Sequence, residues 1–299
     1  MKKRKGVRKL NKEALTAYGM LLPDVLGLLV FVFIPIIYAF YISLHNWNGL
    51  SEMVFTGFDN YSRMIKDQRF IDSVWTTIKY ALMYVPGVFV LALLLAALLN
   101  ALHGRLQSFF RTAVFLPYAI STVIAGIVWS FMYNPMNGFL NQIIIWAGGE
   151  KQRFLASTEQ ALPSVAVVGI WLVLGYNTIL FLAAIKDIPK DYYEAAEIDG
   201  AGAFQKFFKI TVPLIKETSV FVLVMCAIGA FQAFDLINVM TGGGPASATT
   251  TSVLYIYEKA FTTFELGYSS ALAFVLFIII MFLTLAQMKI MRSGEGTES

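Results

Sequence analysis

Charge is scarce in this sequence. Only 14% of the 299 residues are charged, 58% are hydrophobic, and the mean hydropathy is +0.66. Soluble domains carry about 25% charged residues. The composition therefore excludes an ordinary water-soluble domain and indicates a protein whose helices lie in lipid.

Cysteine, histidine and nucleotide-binding motifs are also nearly absent. The single cysteine, Cys226, excludes an intrachain disulfide. The two histidines, His45 and His103, lie far apart with no ligand at metal-binding spacing, so no metal site is expected. No Gly-Lys pair occurs, so the glycine run at 242–244 is not a phosphate loop, and we expect it to be a flexible external turn.

Long apolar runs are what the sequence has instead. A bilayer core of roughly 30 Å needs about 20 apolar residues in a helix. Six stretches meet this requirement: residues 19–43, 76–99, 113–132, 162–185, 218–240 and 269–288. We therefore predict an all-α membrane protein with six transmembrane helices.

The distribution of basic residues predicts the orientation of these helices. With an even number of spans both ends face the same side, and that side carries sixteen lysines and arginines against seven on the other. Basic residues concentrate in cytoplasmic segments, so we predict that both termini are cytoplasmic. The net charge of +4 comes mostly from the N-terminal tail and is a topology signal, so no nucleic-acid partner is expected.

The longest cytoplasmic connection is then 186–217, between the fourth and fifth stretches. We predict a helix that starts at Pro189, includes the helical run 192–199, and is stopped by Gly200 with Gly202. A second short helix should lie along the membrane surface and end at Pro213. On the opposite side, mixed charges in 46–75 predict a small structured cap.

This connection carries three short motifs: Glu194-Ala195-Ala196, Asp199-Gly200-Ala201-Gly202 and Ile210-Thr211-Val212-Pro213-Leu214. The two alanines give the helix a low profile that can enter a groove, and Glu194 and Glu197 place negative charge on one face. Gly200 allows a reversal that a side chain would obstruct. Without a partner, the same segment is an ordinary surface helix between two spans.

Together these motifs resemble the EAA loop of binding-protein-dependent ABC import permeases. The resemblance implies the type I importer (MetI-like) fold, with a permease domain over 19–290 between cytoplasmic tails at 1–18 and 291–299. It implies that the loop docks in a cleft of a cytoplasmic ATPase. The docking residues carried over are Glu194, Ala195, Ala196, Asp199 and Gly200.

Further segments are similar to carbohydrate permeases of this class, of the larger maltose or first glycerol-3-phosphate permease type. They are Phe109-Phe110-Arg111-Thr112, Leu116-Pro117, Leu174-Gly175-Tyr176 and Thr241-Gly242-Gly243-Gly244-Pro245. The large external domain of the enteric maltose protein has no counterpart in these residues. The resemblance implies a non-enzymatic subunit of the bacterial cytoplasmic membrane, without a cofactor of its own. Its partners would be a second permease subunit, two ATP-binding cassette subunits that bind ATP and Mg²⁺, an extracytoplasmic solute-binding protein and a carbohydrate.

Polar and aromatic residues within spans are candidates for the solute path, because polar groups are costly in lipid. In the fourth stretch Trp171, Leu174, Gly175 and Thr178 form one helical stripe, and positions equivalent to Leu174 and Gly175 line the sugar site of the maltose permease it resembles. Gln232 and Asp235 should share a face of the fifth helix. The alternatives are that the stripe serves helix packing and that Asp235 lies near the outer interface or pairs with a neighbouring subunit.

Two other function classes remain open. A stand-alone secondary transporter or channel needs an ion relay, for which Asp235 is the one acid well within a span, and no inverted repeat is visible. A membrane-embedded enzyme needs paired carboxylates or a nucleophile inside the spans, and none is found. Glycerol-3-phosphate or a polyol is an alternative cargo, but cationic groups are absent from the spans except Lys79 near an outer edge, which favours neutral sugars.

Overall fold

The computed structural model describes residues 12–292. By internal contacts this part of the chain divides into two compact units, which are treated separately below. One comprises 12–63 and Lys259–Phe274, and the other comprises Met64–Glu258 and 275–292. Of the two predicted tails, residues 1–11 and 293–299 lie outside the described residues.

The first unit begins with one long apolar helix. Helix α1 (Lys12–Leu28) continues through a π-helical turn at Leu29–Phe33 into α2 (Ile34–Ser43). A short antiparallel pair of strands follows, β1 (His45–Asn46) and β2 (Val54–Phe55). The first part of the predicted cap, 46–75, therefore has regular secondary structure.

Polar contacts and one close backbone approach hold the outer part of this unit together. A Cβ on Gly267 would lie 1.9 Å from the carbonyl oxygen of His45, so only glycine fits there. Glu265 is bonded by Arg63 and, at 2.9 Å, by Lys259. Burial raises the pKa of this carboxyl, but the two cations outweigh burial and hold its pKa below the usual range.

The second unit is built around two long helices, α4 (Gln68–Ala101) and α8 (Ala161–Lys186). Their interface contains small and β-branched side chains that are fully buried: Val88, Ala92, Ala96, Val165 and Val168. In lipid the hydrophobic effect does not drive helices together, so small residues stabilise the pair by allowing close contact. This pair supplies two walls of the cavity described below.

The other elements of the chain are short, apart from the last helix. They are α3 (Asp59–Lys66), α5 (Gly104–Phe115), a 3₁₀ turn (Leu116–Ala119), α6 (Thr122–Met132), α7 (Phe139–Trp146), a 3₁₀ turn (Phe154–Ala156), α9 (Lys190–Ile198), α10 (Ala203–Lys206), a π turn (Phe207–Thr211), α11 (Val212–Leu214), α12 (Lys216–Phe231), α13 (Asp235–Met240), α14 (Ser252–Tyr257), a π turn (Glu258–Thr262) and α15 (Leu266–Arg292).

Four helices are individually long and apolar enough to cross a membrane: Thr16–Ser43, Gln68–Ala101, Ala161–Lys186 and Leu266–Lys289. Two bent pairs qualify when each is taken as one span, Gly104–Ala119 with Thr122–Met132 at 97° and Ala203–Leu214 with Lys216–Phe231 at 70°. Counted in this way, the described residues contain six candidate spans, as predicted, although the pair that forms the fifth covers Ala203–Phe231 and the prediction was 218–240.

Two of the six are not the continuous helices that were predicted. In the third, the α-helix ends at Phe115 because Pro117 lacks an amide hydrogen and its ring disrupts the preceding turn, and Ser121 is extended. In the fifth, α12 ends at Phe231 and α13 starts only at Asp235. The Ala233 carbonyl freed by this break accepts a 3.0 Å hydrogen bond from the Thr251 hydroxyl, so the break leaves no unsatisfied carbonyl there.

Two helix boundaries in the 186–217 connection differ by one residue from the positions predicted from its prolines. Pro189 precedes α9 as its cap and is not its first helical residue. Pro213 lies in the last turn of the continuous helical run Ala203–Leu214, which ends one residue after the predicted position.

Candidate functional site

The connection at residues 186–217, for which coupling to an ATPase was predicted and which is called the coupling loop below, contains a helix with a tightly defined end. After α9 the amide of Gly200 bonds the Glu197 carbonyl at 3.0 Å, and the amide of Ala201 bonds the Ala196 carbonyl at 2.8 Å. This is the Schellman arrangement, which needs a left-handed residue, and Gly200 has a φ of +77°. The prediction that a side chain at Gly200 would block the reversal sterically is wrong, because a Cβ there would meet no atom within 4 Å. Glycine is needed for its positive φ.

The predicted docking residues lie on the outside of this loop. Glu194, Ala195, Asp199 and Gly200 are exposed, and Ala196 is half-buried. Sequence reasoning missed Ile198, whose side chain is 88% exposed at the tip of the helix. Its signal was an isolated apolar residue between two acids; a single exposed apolar side chain does not by itself mark a contact surface, so a docking role for Ile198 is a prediction.

The two acids assigned to one face differ in their partners. Glu197 forms a 2.7 Å ion pair with Lys206 across the loop, and this hydrogen bond and charge lower the pKa of Glu197. Glu194 has no ion-pair or hydrogen-bond partner for its side chain within residues 12–292. On the inner side, the Tyr193 and Thr211 hydroxyls lie 2.9 Å apart and tie the two halves of the loop together. The loop is thus internally braced and leaves Glu194 free to contact another molecule.

A cavity of about 220 Å³ lies in the second unit beside the break between α12 and α13. Helices α4, α8 and α6 contribute the opposite walls. Its lining residues are Tyr80, Tyr84, Thr122, Gly169, Leu172, Val173, Gly229, Gln232, Ala233, Phe234, Asp235 and Leu236.

Two tyrosines one helical turn apart form the α4 wall of this cavity. The Tyr80 and Tyr84 rings stack with centroids 5.4 Å apart and an interplanar angle of 18°. The side chains are only 3% and 8% exposed, and neither hydroxyl has a hydrogen-bond partner within the described residues. Both tyrosines line the cavity, so their hydroxyls are available to bond a polar ligand there. Sequence reasoning missed this pair, although tyrosines at i and i+4 in an apolar run were a visible signal.

The six predicted path residues separate into two groups. Gln232 and Asp235 line the cavity, but from opposite sides of a helix break and not from one helical face. The stripe of Trp171, Leu174, Gly175 and Thr178 lies outside the cavity lining. Its contribution to a solute path stays a prediction.

Helix packing accounts for the positions of this stripe. A Cβ on Gly175 would lie 2.1 Å from the Val114 carbonyl oxygen, so α5 approaches α8 at its backbone. The Trp171 ring lies 5.4 Å from that of Trp129, and the fully buried Thr178 hydroxyl donates to the Leu174 carbonyl at 2.7 Å. The cavity face of α8 is formed instead by Gly169, Leu172 and Val173.

The glycine run at 242–244 is not the flexible turn that was expected. Gly243 is buried, and the Thr250 hydroxyl donates to its carbonyl at 3.2 Å. The Thr249 hydroxyl lies 2.7 Å from that of Thr241 and donates to the Gly244 carbonyl at 2.8 Å. Threonines that follow the glycines therefore fold the segment into a bonded loop, a long-range effect that the glycine content did not reveal.

Comparison with known proteins identifies the family. Residues 64–292 match the family described as binding-protein-dependent transport system inner membrane component. The chain is 37% identical over 289 residues to a probable ABC transporter permease protein, YurN, of Bacillus subtilis, covering 95% of this chain and 99% of that one. It is 34% identical to the trehalose/maltose transport system permease protein MalF of Thermococcus litoralis, covering 94% and 95%.

A solved structure agrees with both the fold and the family. It is a chain of a bacterial alginate ABC transporter, crystallised in complex with an alginate-bound periplasmic protein, and it superimposes with a TM-score of 0.84. The sequence identity is 25%, and the match covers 96% of this chain and 98% of that chain. The protein therefore belongs to the family of inner-membrane components of binding-protein-dependent transport systems, as a permease of an ABC importer.

Proposed function

We propose that this chain moves a carbohydrate across the bacterial cytoplasmic membrane by alternating access, driven by ATP hydrolysis on a partner. The relatives support the cargo class, since one is named for trehalose and maltose and the matched structure for alginate. The observation that carries the proposal is the coupling loop, which is braced by its own contacts and exposes Glu194, without a partner in the described residues, and Ile198 on its surface.

The loop is the lever in this mechanism. In our proposal it sits in a cleft of an ATP-binding cassette subunit, which also binds ATP and Mg²⁺. Closure of two such subunits would then move α8 and α12, because the loop joins them directly and the Tyr193–Thr211 and Glu197–Lys206 contacts stiffen it. ATP shifts the inward and outward states only by binding better to one of them.

A second permease subunit completes the path in this proposal. The most apolar window of the first span, Thr16–Ser43, is only 6% buried within this chain. Its apolar side chains are therefore available to contact lipid or the second subunit. An extracytoplasmic solute-binding protein would deliver the cargo, and both termini would face the cytoplasm.

Charge reversal at Glu194 tests the proposal. We expect Glu194→Lys to insert normally into the membrane but to lose the ATPase subunit during purification, and uptake to fall at least tenfold. Glu52→Lys is the matched control, because Glu52 is also exposed but lies in the segment assigned to the outer side. Wild-type uptake and a retained ATPase in Glu194→Lys would overturn the coupling role.

A further inference from the structure

The charge of the cavity beside the α12–α13 break bears on which carbohydrates it accepts. Asp235 is the one charged residue among the described residues that line it, and no lysine or arginine does so. The Asp235 side chain has no ion-pair or hydrogen-bond partner in the described part of the chain. An anionic solute in this space would meet a like charge without any compensating cation.

The remaining polar groups suit neutral hydroxyls. The phenolic groups of Tyr80 and Tyr84 each donate and accept, and the Gln232 amide does both. The two tyrosine rings stack on each other and are almost fully buried, so they form a rigid part of the cavity wall. Sugar hydroxyls, which likewise donate and accept, are the complementary partners.

Gly169 on α8 leaves space in the cavity next to the two tyrosines. A Cβ on Gly169 would lie 2.5 Å from the Tyr80 hydroxyl oxygen and 3.3 Å from the ring of Tyr84. The absence of a side chain at 169 therefore keeps α8 clear of both phenols. The cavity volume of about 220 Å³ is below the roughly 300–1,000 Å³ of drug-sized ligand pockets, so it suits one sugar ring.

We propose that Tyr80, Tyr84 and Asp235 are selectivity residues that admit an uncharged sugar ring and reject phosphorylated, sulfonated or uronic acid sugars. This inference rests on the proposed function and narrows it. It distinguishes the chain from the importer of the matched structure, whose cargo is the acidic polysaccharide alginate. The tyrosines hold the ring through its hydroxyls, and the carboxylate supplies the rejection of anions.

The test uses the complete importer reconstituted in proteoliposomes with its binding protein. Uptake is measured for a panel of radiolabelled neutral sugars and, for each, its uronate and its phosphate ester. Because the binding protein also selects, affinity of the same panel is measured on the importer without it by equilibrium dialysis. We expect neutral sugars to bind at least tenfold better than their anionic partners.

Variants assign this preference to the named residues. Tyr80→Phe and Tyr84→Phe remove only the hydroxyls, and each should weaken neutral-sugar affinity about tenfold while the complex stays assembled. Tyr176→Phe is the control, because Tyr176 stacks on Tyr118 and lies outside the cavity lining. Asp235→Asn should relax the rejection of anions, and Asp235→Lys should reverse it.

The outcomes separate this inference from the proposed function. Preference for an anionic sugar by the wild-type importer would overturn the selectivity inference and leave carbohydrate import standing. Unchanged sugar affinities in both tyrosine variants would show that Tyr80 and Tyr84 do not bind the sugar hydroxyls. Failure of every sugar to bind or enter would overturn the proposed function and this inference together.

Discussion

The coupling loop and the cavity are built in opposite ways. The loop is exposed and its contacts are local, since Glu197–Lys206 and Tyr193–Thr211 join residues 9 and 18 positions apart. The cavity opens to the surface at exposed Gln232 and Asp235, and it brings Tyr80 together with Gly169 and Asp235 from three different helices. A partner can therefore use the loop without the chain repacking, whereas any change of helix packing alters the cavity.

The largest expected effect comes from breaking the packing that supports the cavity. Gly175→Ala places a methyl group 2.1 Å from the Val114 carbonyl oxygen, a clash with backbone that only movement of α5 or α8 can relieve. Overpacking of this kind costs about 3 kcal/mol, which lowers the unfolding temperature by about 6 to 12 °C.

Thermal unfolding of the detergent-solubilised protein measures this loss. Gly27→Ala is the control, because a Cβ at Gly27 meets no atom within 4 Å and alanine favours a helix. Equal unfolding temperatures for Gly175→Ala and the wild-type protein would show that α5 and α8 are not in contact at this point.

An intermediate effect is expected from a change at the cavity face of the same helix. Gly169→Ala pushes the Tyr80 hydroxyl aside, and we expect solute affinity to fall about tenfold with little loss of assembly. Gly229→Ala is the matched control, since Gly229 also lines the cavity but has no atom within 4 Å of a Cβ. Equilibrium dialysis compares the two, and similar affinities would contradict the assigned role of Gly169.

The smallest effect is expected in the loop. Gly200→Ala meets no atom but must keep a φ of +77°, which costs an alanine about 1 kcal/mol. Affinity for the ATPase subunit should fall about fivefold, as judged by titrating the detergent-solubilised permease with that subunit. Gly202 is the control, because its φ of −71° suits alanine, and an equal loss in Gly202→Ala would contradict the conformational explanation.

The sequence predicted the features that depend on local contacts better than those that depend on contacts between distant residues. The loop was found because its motif, helix and stop lie within 32 consecutive residues, residues 186–217, and local backbone preferences decide them. Four of the six predicted spans are long apolar helices, and six are reached when each bent pair counts as one span, because lipid demands apolar helices wherever they pack.

The cavity and the bends depend on contacts that are distant in sequence. A hydropathy window cannot register the α12–α13 break, which leaves a carbonyl for Thr251 to bond. It also cannot show that Gly175 faces α5 while Gly169 faces Tyr80, although both are glycines of α8. Periodicity therefore identified a helix face but not which neighbour that face contacts.

The orientation of the coupling loop tests the account most directly. Cys226 is replaced by serine, and a single cysteine is placed at exposed Ala203 in the loop or at exposed Glu52. A membrane-impermeant maleimide added to intact cells should label Glu52→Cys at once and Ala203→Cys only after the membrane is permeabilised. Labelling of Ala203→Cys in intact cells would place the loop outside and contradict its contact with a cytoplasmic ATPase.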